Sequence, residues 1–422
     1  MGNHITNSIS YDTRLAQARD HAYSLTLEDI DVSHWDLFRD DTLWPYFERL
    51  RHEKPVFFHE RSQVGPFWSV TTYEHIKAID SDHERFSSEP TIGLDELLPN
   101  ETMPMFIAMD QPKHNEQRKA VAPVAAPRNL ANLEPTIRRR VIDILENLPI
   151  GERFNWVERV SIELTTQMLA TLFDFPFDER RKLTRWSDVA TSPIKAGLVE
   201  SHEQRSEELF ECLNYFKSLR EERESRPLGT DLLSMLAHDA ATRDMPDMEF
   251  LGNLLLLIVG GNDTTRNSIS GGVLALNKFP DQYDKLRRDP SLIPNMVPEI
   301  IRWQTPLAYM RRTAIQDVEI NGEKIRKGDR VVMWYVSGNR DDSVFDDADK
   351  LIIDRPNARQ HLSFGFGIHR CMGNRVAELQ LRILWEEIGK RFHMVEVVGE
   401  PERSLSNLIR GYTQLPVKVH PL

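Results

Sequence analysis

A glycine-rich loop that carries one cysteine and leads into a long helix constrains this chain more than any other feature. The loop covers residues 364–373 (FGFGIHRCMG), and apolar residues at helical spacing then predict a helix over 372–391. Glycine allows a positive φ and a close approach of the backbone to a bound group, while a helix N-terminus stabilises an ionised sulfur. The pattern therefore suits Cys371 as the thiolate ligand of a metal.

Two other interpretations of Cys371 stay open at this level. It fits a buried structural cysteine, and it fits a catalytic nucleophile if a histidine base is poised beside it. His369 is poorly placed for that base, because it lies only two residues away on the same loop. The only other cysteine is Cys212, so a disulfide framework is excluded and a reducing, cytoplasmic setting is expected.

The bulk composition excludes further classes of protein. Hydrophobic residues make up 40% of the 422 residues, which is enough for a large core. The formal net charge of −12 disfavours a nucleic-acid partner, because phosphate binding needs a clustered positive surface. The longest apolar run, residues 254–259, is too short to span a membrane, and the N-terminus has no apolar run typical of a signal peptide.

Helical periodicity dominates the pattern of apolar residues, and strands are few and short. The hairpin over 318–325 has an Asn321-Gly322 turn, and residues 337–363 show little regular pattern. We therefore expect a mainly α (α+β) fold, with a polar surface arm over 1–40 and a single domain over 41–422. The other predicted helices span 43–51, 73–79, 138–148, 157–172, 207–219, 252–276 and 295–303, and the other strands span 56–58, 67–71 and 331–336.

The cysteine loop has the spacing F-x-x-G-x-H-x-C-x-G, and with it the chain resembles the cytochrome P-450 family. The resemblance implies a helix-rich triangular prism with small β-sheets, in which haem b lies between the long central helix and the cysteine loop. It implies that Cys371 binds the iron. The loop residues that the resemblance assigns to the cofactor are Phe364, Gly365, His369, Cys371 and Gly373.

An acid and a base three residues apart, Glu299 and Arg302, share one face of the predicted helix over 295–303. Taken alone, they are an ordinary surface pair of little energetic value. In the resembled family such a pair joins a second arginine to brace the core beside the haem, and Arg355 stands at the matching place.

The long predicted helix contains two adjacent glycines, Gly260 and Gly261, followed by Asp263 and Thr264. Each glycine costs a helix interior about 1 kcal/mol relative to alanine, which suggests the close approach of another group. A kink with solvated polar side chains is the alternative. The resemblance implies that the helix opens here over the iron and that Asp263 and Thr264 are the catalytic acid–alcohol pair that delivers protons.

His114 and Arg118 lie four residues apart and face the same way on a helix. This arrangement fits the binding of a carboxylate, and it also fits an ordinary charged face exposed to solvent. The resemblance assigns them to the haem propionates, together with Arg312 and His369.

Residues 106–110, 304–314, 327–341 and 361–388 resemble a bacterial branch that hydroxylates the terminal carbon of medium-chain alkanes and fatty acids. Selectivity for a chain end needs a narrow apolar channel that admits only that end. Candidate wall residues, each of which also fits an ordinary core position, are Met103, Met105, Phe106, Leu256, Leu257, Leu307 and Ile409. A cation at the channel mouth is expected for fatty acids, but the sequence does not identify it.

No flavin or nicotinamide fingerprint occurs in the sequence. Electrons are therefore expected from a separate [2Fe–2S] ferredoxin with its ferredoxin reductase, steered by Arg370 and Arg375 beside Cys371. Three alternatives stay open: a monooxygenase acting on another hydrophobic molecule such as a terpenoid, an enzyme that takes peroxide directly, and a non-catalytic haem sensor.

Overall fold

The computed structural model describes residues 10–94 and 103–422, and helices form most of it. This confirms the predicted helix-rich α+β fold. In chain order, the α-helices are α1 (Tyr11–Ser24), α2 (Trp35–Arg39), α3 (Trp44–Glu53), α4 (Tyr73–Ser81), α5 (Lys113–Val121), α6 (Pro127–Glu146), α7 (Glu163–Phe173), α8 (Arg181–Thr191), α9 (His202–Glu224), α10 (Leu232–His238), α11 (Asp247–Lys278), α12 (Pro280–Arg288), α13 (Ile293–Gln304), α14 (Tyr335–Gly338) and α15 (Asn374–Gly389).

The strands form one five-stranded sheet and smaller sheets, with the hairpin pairing as predicted across Asn321-Gly322. The strands are β1 (Val56–His59), β2 (Phe67–Val70), β3 (Phe86–Ser87), β4 (Phe154–Asn155), β5 (Met310–Ala314), β6 (Val318–Ile320), β7 (Glu323–Ile325), β8 (Arg330–Met333), β9 (Phe392–Val397), β10 (Glu402–Arg403), β11 (Tyr412–Gln414) and β12 (Pro416–Pro421). The large sheet has the order β1-β2-β8-β5-β3, in which β2 and β8 are parallel and the other neighbours are antiparallel.

Helix α11 runs through the middle of the core, and most of its residues between Glu249 and Leu276 are buried. Acidic Asp247 and Glu249 lie in its first turn and Lys278 in its last, as the helix dipole favours. We call two of the hydrophobic clusters the cap cluster, which includes Phe106, Leu169, Trp186, Phe216 and Ile258, and the sheet cluster, which includes Phe38, Phe47, Leu94, Ala308 and Trp334.

Some predicted elements have different ends in the structure. The helix predicted over 138–148 begins at Pro127 and includes Pro135, which sequence reasoning treats as a helix breaker. The strand predicted over 331–336 ends at Met333, and the chain then turns into α14. The helix predicted over 157–172 starts with a π-helical segment, Val157–Ile162, before α7.

Residues 10–40 are more structured than the surface arm expected over 1–40. They contain α1 and α2, and Ala22, Ile30 and Phe38 are buried in the sheet cluster. Small and widely spaced apolar residues gave little periodic signal here, so the sequence did not reveal this packing. The division of the chain at residue 40 stays a prediction.

Within residues 10–94 and 103–422, we find no helix that is long and apolar enough to cross a membrane.

Candidate active site

The cysteine loop is held in shape by its own backbone and by two glycines. The Cys371 N–H donates to the Phe364 carbonyl at 2.7 Å, which closes the loop. Gly365 and Gly367 have φ values of +64° and +65°, a region that side chains disfavour. A Cβ atom at Gly367 would lie 2.5 Å from the Asp80 carbonyl oxygen, so no larger residue fits there without movement.

Asp80, at the end of α4, anchors this loop, although no sequence pattern predicted it. Its Oδ2 accepts a hydrogen bond from the Phe366 N–H at 2.7 Å and another from the Tyr335 hydroxyl at 2.8 Å. Its Oδ1 pairs with Arg312 Nη2 at 2.8 Å. No motif contains Asp80, and the only signal was a carboxylate at the end of an otherwise apolar helix face.

Cys371 lies deep in the molecule, yet its side chain borders open space. Burial raises the pKa of the thiol, whereas the N–H groups of Gly373 and Asn374 and the positive charges of Arg118 and Arg370 lower it. A metal that binds the thiolate would reinforce the lowering. The environment therefore combines a low dielectric with donors that stabilise sulfur in its ionised form.

One face of α11 also borders open space, although most of this helix is buried. Gly260 is exposed, and a Cβ atom there would meet nothing within 4 Å. Leu256, Leu257 and Thr264 lie on the same face, one turn before and one turn after, and all three are partly exposed. The Thr264 hydroxyl donates to the Gly260 carbonyl at 3.0 Å. Gly261 instead faces Leu169, whose Cδ2 would lie 2.7 Å from an added Cβ.

Asp263 points away from that face and is fully buried. Its Oδ1 pairs with Arg266 Nη2 at 2.8 Å and accepts from Asn262 Nδ2 at 3.0 Å, and its Oδ2 accepts from Thr191 Oγ1 at 3.3 Å. Burial raises the pKa of Asp263, and the guanidinium of Arg266 opposes this shift. The sequence identified Asp263 but not the partners contributed by its own helix and by α8.

His114 and His369 lie side by side, with ring centroids 4.1 Å apart. His114 Nε2 and both ring nitrogens of His369 are buried without a hydrogen-bond partner in the part of the chain that the structure describes. Burial lowers the pKa of His369 to about 2, and the nearby charges of Arg312 and Arg118 contribute. A bound carboxylate would supply the missing acceptors, so these residues fit a cofactor that carries acidic groups.

Arg118 and Arg312 already have protein partners. Arg118 Nη2 donates to the Arg370 carbonyl, and Arg312 pairs with Asp80. Arg118 thus lies close to the cysteine loop, as expected, whereas Arg312 reaches it through Asp80. Their assignment to propionates stays a prediction.

Glu299, Arg302 and Arg355 form a fully buried ion cluster. Arg302 contacts the Glu299 carboxylate through two hydrogen bonds of 2.8 Å, and Arg355 Nε lies 3.1 Å from both oxygens. Arg302 also donates to the carbonyls of residues 339, 348 and 350, which lie in the irregular segment before the cysteine loop. The cluster therefore links α13 to this segment from within the core and is not a surface ion pair.

Four of the seven predicted wall residues lie in the cap cluster or pack against it. Phe106 belongs to the cap cluster, and Met103, Leu256 and Leu257 pack against it. Leu307 and Ile409 pair with each other through an antiparallel bridge. Met105 is partly buried just before Phe106.

The family model described as cytochrome P-450 matches residues 124–418. The chain belongs to this family. It is a cytochrome P-450 monooxygenase, and its cofactor is haem b, which the thiol of Cys371 and the unpartnered donors of His114 and His369 fit.

Known proteins resemble this cytochrome P-450 along nearly the whole chain. The solved structure of CYP153D17 from Sphingomonas sp. PAMC 26605 is 49% identical with a TM-score of 0.88, covering 93% of this chain and 100% of that one. Linalool 8-monooxygenase of Pseudomonas putida is 35% identical over 94% of this chain and 100% of its own length. Methyl-branched lipid omega-hydroxylase of Mycobacterium bovis is 30% identical over 93% of this chain and 95% of its own length.

Proposed function

We propose that this cytochrome P-450 hydroxylates the terminal carbon of medium-chain alkanes or fatty acids. The observation that carries the proposal is the exposed face of α11, where Leu256 and Leu257 precede Gly260 and the hydroxyl of Thr264 follows it. An apolar surface that ends beside a hydroxyl group is suited to bind the unsubstituted methyl end of a hydrocarbon chain. The similarity to a relative named as a lipid omega-hydroxylase supports the same substrate class.

Haem b, when bound, supplies the activation of dioxygen, and the protein supplies orientation, protons and the exclusion of water. Cys371 would hold the iron, and His114, Arg118 and His369 would bind the propionates. Phe364 and Gly365 shape the loop, and Gly373 leaves space at the start of α15.

Thr264 and Asp263 would share the delivery of protons. Thr264 faces the open side of α11, so its hydroxyl would be the group that holds and passes on a proton on the side of the helix that faces bound haem. Asp263 is buried behind it and is tied to Arg266, so it would act through a change in this ion pair rather than by direct contact.

We propose that a separate [2Fe–2S] ferredoxin with its reductase supplies the electrons. Arg370 and Arg375 are exposed next to Cys371, where an acidic partner would bring its electrons close to the sulfur. Arg370→Glu should slow electron transfer at low salt more than at high salt, because salt screens exposed charges. A rate that does not change at either salt concentration would remove Arg370 from the docking surface.

The test of the substrate class is a spin-state titration of the haem-loaded protein with alkanes and fatty acids of graded length, followed by product analysis with a ferredoxin system. Terminal alcohols as the main products support the proposal, and subterminal alcohols as the main products contradict it. Turnover with peroxide but not with the ferredoxin system would favour a peroxide-dependent enzyme. Substrate binding without turnover by either peroxide or the ferredoxin system would favour a sensor.

The second candidate is a terpenoid substrate, because linalool 8-monooxygenase is 35% identical over nearly the full chain. Including linalool in the same titration distinguishes the two classes. Tighter binding and faster turnover of linalool than of any linear chain would replace the first candidate by this one.

A further inference from the structure

A cavity of about 1000 Å³ lies between the start of α1, the end of α11 and strand β10. The residues that line it are different from those predicted to bind haem, deliver protons or form the substrate wall. Lys278, which ends α11 and lines the cavity, lies about 21 Å further along the helix axis than Thr264. The cavity is therefore separate from the candidate active site.

The ammonium group of Lys278 has only aromatic partners in this cavity. Its Nζ lies 3.9 Å from the centroid of the Tyr11 ring and 5.9 Å from that of Trp303. The side chain is exposed, and no carboxylate within residues 10–94 or 103–422 pairs with it. Since a cation–π contact at an exposed site is weak, this ammonium group is available to a stronger partner.

Arg403 lines the same cavity and carries a buried donor that lacks an acceptor. Its side chain is 6% exposed, and its Nη2 pairs with Asp41 Oδ2 at 2.8 Å. Its Nη1 is buried without a hydrogen-bond partner in the part of the chain that the structure describes. Buried donors of this kind are rare, because each one loses its hydrogen bonds to water without replacing them. An acceptor bound in the cavity would replace them.

Positive charge exceeds negative charge around Lys278 and Arg403. The buried carboxylate of Asp41 is shared, because its Oδ1 also pairs with Arg410 Nη2 at 3.1 Å. Loss of hydration lowers the pKa of Lys278, and Asp41 opposes this shift. The guanidinium groups of Arg403, Arg340 and Arg410 repel the ammonium group and lower its pKa further. A bound anion would relieve this repulsion.

The other carboxylates that line the cavity mostly have partners of their own. Asp40 pairs with Arg39 at 2.8 Å, and Glu400 lies 3.8 Å from Arg14. Glu402 also lines the cavity, and its side chain is exposed, so solvent and salt screen its charge. These side chains therefore leave the excess of positive charge near Lys278 in place.

We propose that this cavity binds a dianionic phosphate group between the ammonium group of Lys278 and Nη1 of Arg403. This site goes beyond the proposed function. Arginine and lysine both bind phosphate through charge-assisted hydrogen bonds, and two negative charges match two cations better than one would. Leu274 and Val397 line another part of the cavity, which leaves room for the organic part of a small phosphate ester.

The experiment is a calorimetric titration of the haem-loaded protein at pH 8, where phosphate is mostly dianionic, with the ionic strength held constant by sodium chloride. The two probes are inorganic phosphate and glycerol 3-phosphate. Lys278→Gln should weaken binding of both probes about tenfold, as expected for a hydrogen bond between charged groups. Lys278→Arg should keep most of the affinity. Tighter binding of the ester would assign the site to an organic phosphate, and equal binding would assign it to the free ion.

Two more variants separate recognition from a merely structural role. Arg403→Lys keeps a cation for Asp41 but removes the free amino group, so it should also weaken phosphate binding about tenfold. Lys182 likewise lies over a tyrosine ring, 4.5 Å from the centroid of Tyr215, but it is paired with Glu179 at 2.6 Å. Lys182→Gln is therefore the matched control and should bind phosphate like wild type.

The absence of phosphate binding by wild type would overturn the proposal. So would equal phosphate affinity in wild type, Lys278→Gln and Arg403→Lys, because the anion would then bind elsewhere. Neither result bears on the hydroxylation of alkanes or fatty acids, which is tested by its products.

Discussion

Arg266 holds the buried carboxylate of Asp263, with Nη2 2.8 Å from Oδ1, one turn further along α11. Its other amino group, Nη1, pairs with Asp188 Oδ1 on α8 at 2.9 Å. Arg266 therefore joins α8 to the residue proposed to deliver protons. The position of α8 and the charge of Asp263 are coupled through one guanidinium.

Arg266→Gln is expected to lower the free energy of unfolding by roughly 3 kcal/mol, because it leaves Asp263 buried without a counter-charge. Adding Asp263→Asn should restore part of this loss, so the double variant loses less than the sum of the two single variants. Chemical unfolding of the haem-loaded variants measures this. Arg287→Gln, which removes a surface pair with Asp284, is the control. If the losses of stability in Arg266→Gln and Asp263→Asn simply added in the double variant, the two residues would not be coupled.

Thr264→Ala should still consume reductant but release hydrogen peroxide in place of hydroxylated product, because the open face of α11 loses its hydroxyl. The ratio of product to reductant consumed is the measurement, with peroxide assayed in parallel. Thr265→Val changes the adjacent threonine, which is buried, and should keep the wild-type ratio. Full coupling in Thr264→Ala would remove Thr264 from proton delivery.

Glu299→Ala should yield protein that lacks haem, because Arg302 and Arg355 would remain buried without their carboxylate, at a cost of roughly 3–5 kcal/mol. The ratio of haem absorbance to protein measures this. Glu319→Ala, an exposed glutamate on β6, serves as the control. A normal haem content in Glu299→Ala would show that the cluster does not brace the cofactor site.

Asp80→Asn is expected to destabilise the cysteine loop by roughly 2 kcal/mol, because the charge that holds Arg312 and the Phe366 N–H is lost. We expect the reduced, carbon-monoxide-treated variant to show a smaller fraction of the absorption typical of a thiolate ligand. Asp82→Asn removes a surface pair with Arg85 and should leave that fraction unchanged. An unchanged spectrum in Asp80→Asn would mean that the loop holds its shape without this anchor.

His59 gives the fold a pH dependence. Burial lowers its pKa to about 4, while its Nε2 hydrogen-bonds Ser69 at 2.8 Å. Between pH 6.5 and 4 the unfolded chain binds a proton at His59 that the folded protein does not, so stability falls as the pH falls through this window. Relative to the His59→Gln variant, the wild-type protein should lose about 3 kcal/mol of its free energy of unfolding by pH 4. Parallel unfolding curves at pH 7 and 4.5 measure it, and an equal loss in both proteins would contradict it.

Local patterns predicted the elements whose signal is periodic or whose turn chemistry is specific. The long apolar run of α11, the Asn321-Gly322 hairpin and the helix after the cysteine loop all lie where the sequence predicted them. The sequence did not predict the full length of α6, which contains Pro135, or the helix α1, whose buried residues are small, because tertiary packing overrides weak local preference.

The spacing of the cysteine loop by itself indicated the family and predicted Cys371 as the ligand of the iron, because the glycines, the thiol and the following helix are neighbours in the chain. Only the tertiary structure decided which distant side chains complete the site. Asp80 of α4 anchors the loop, and Asp188 of α8 pairs with the Arg266 that holds Asp263. A contact between residues that are far apart in the chain leaves no periodic trace in the sequence, because it depends on how separate elements pack together.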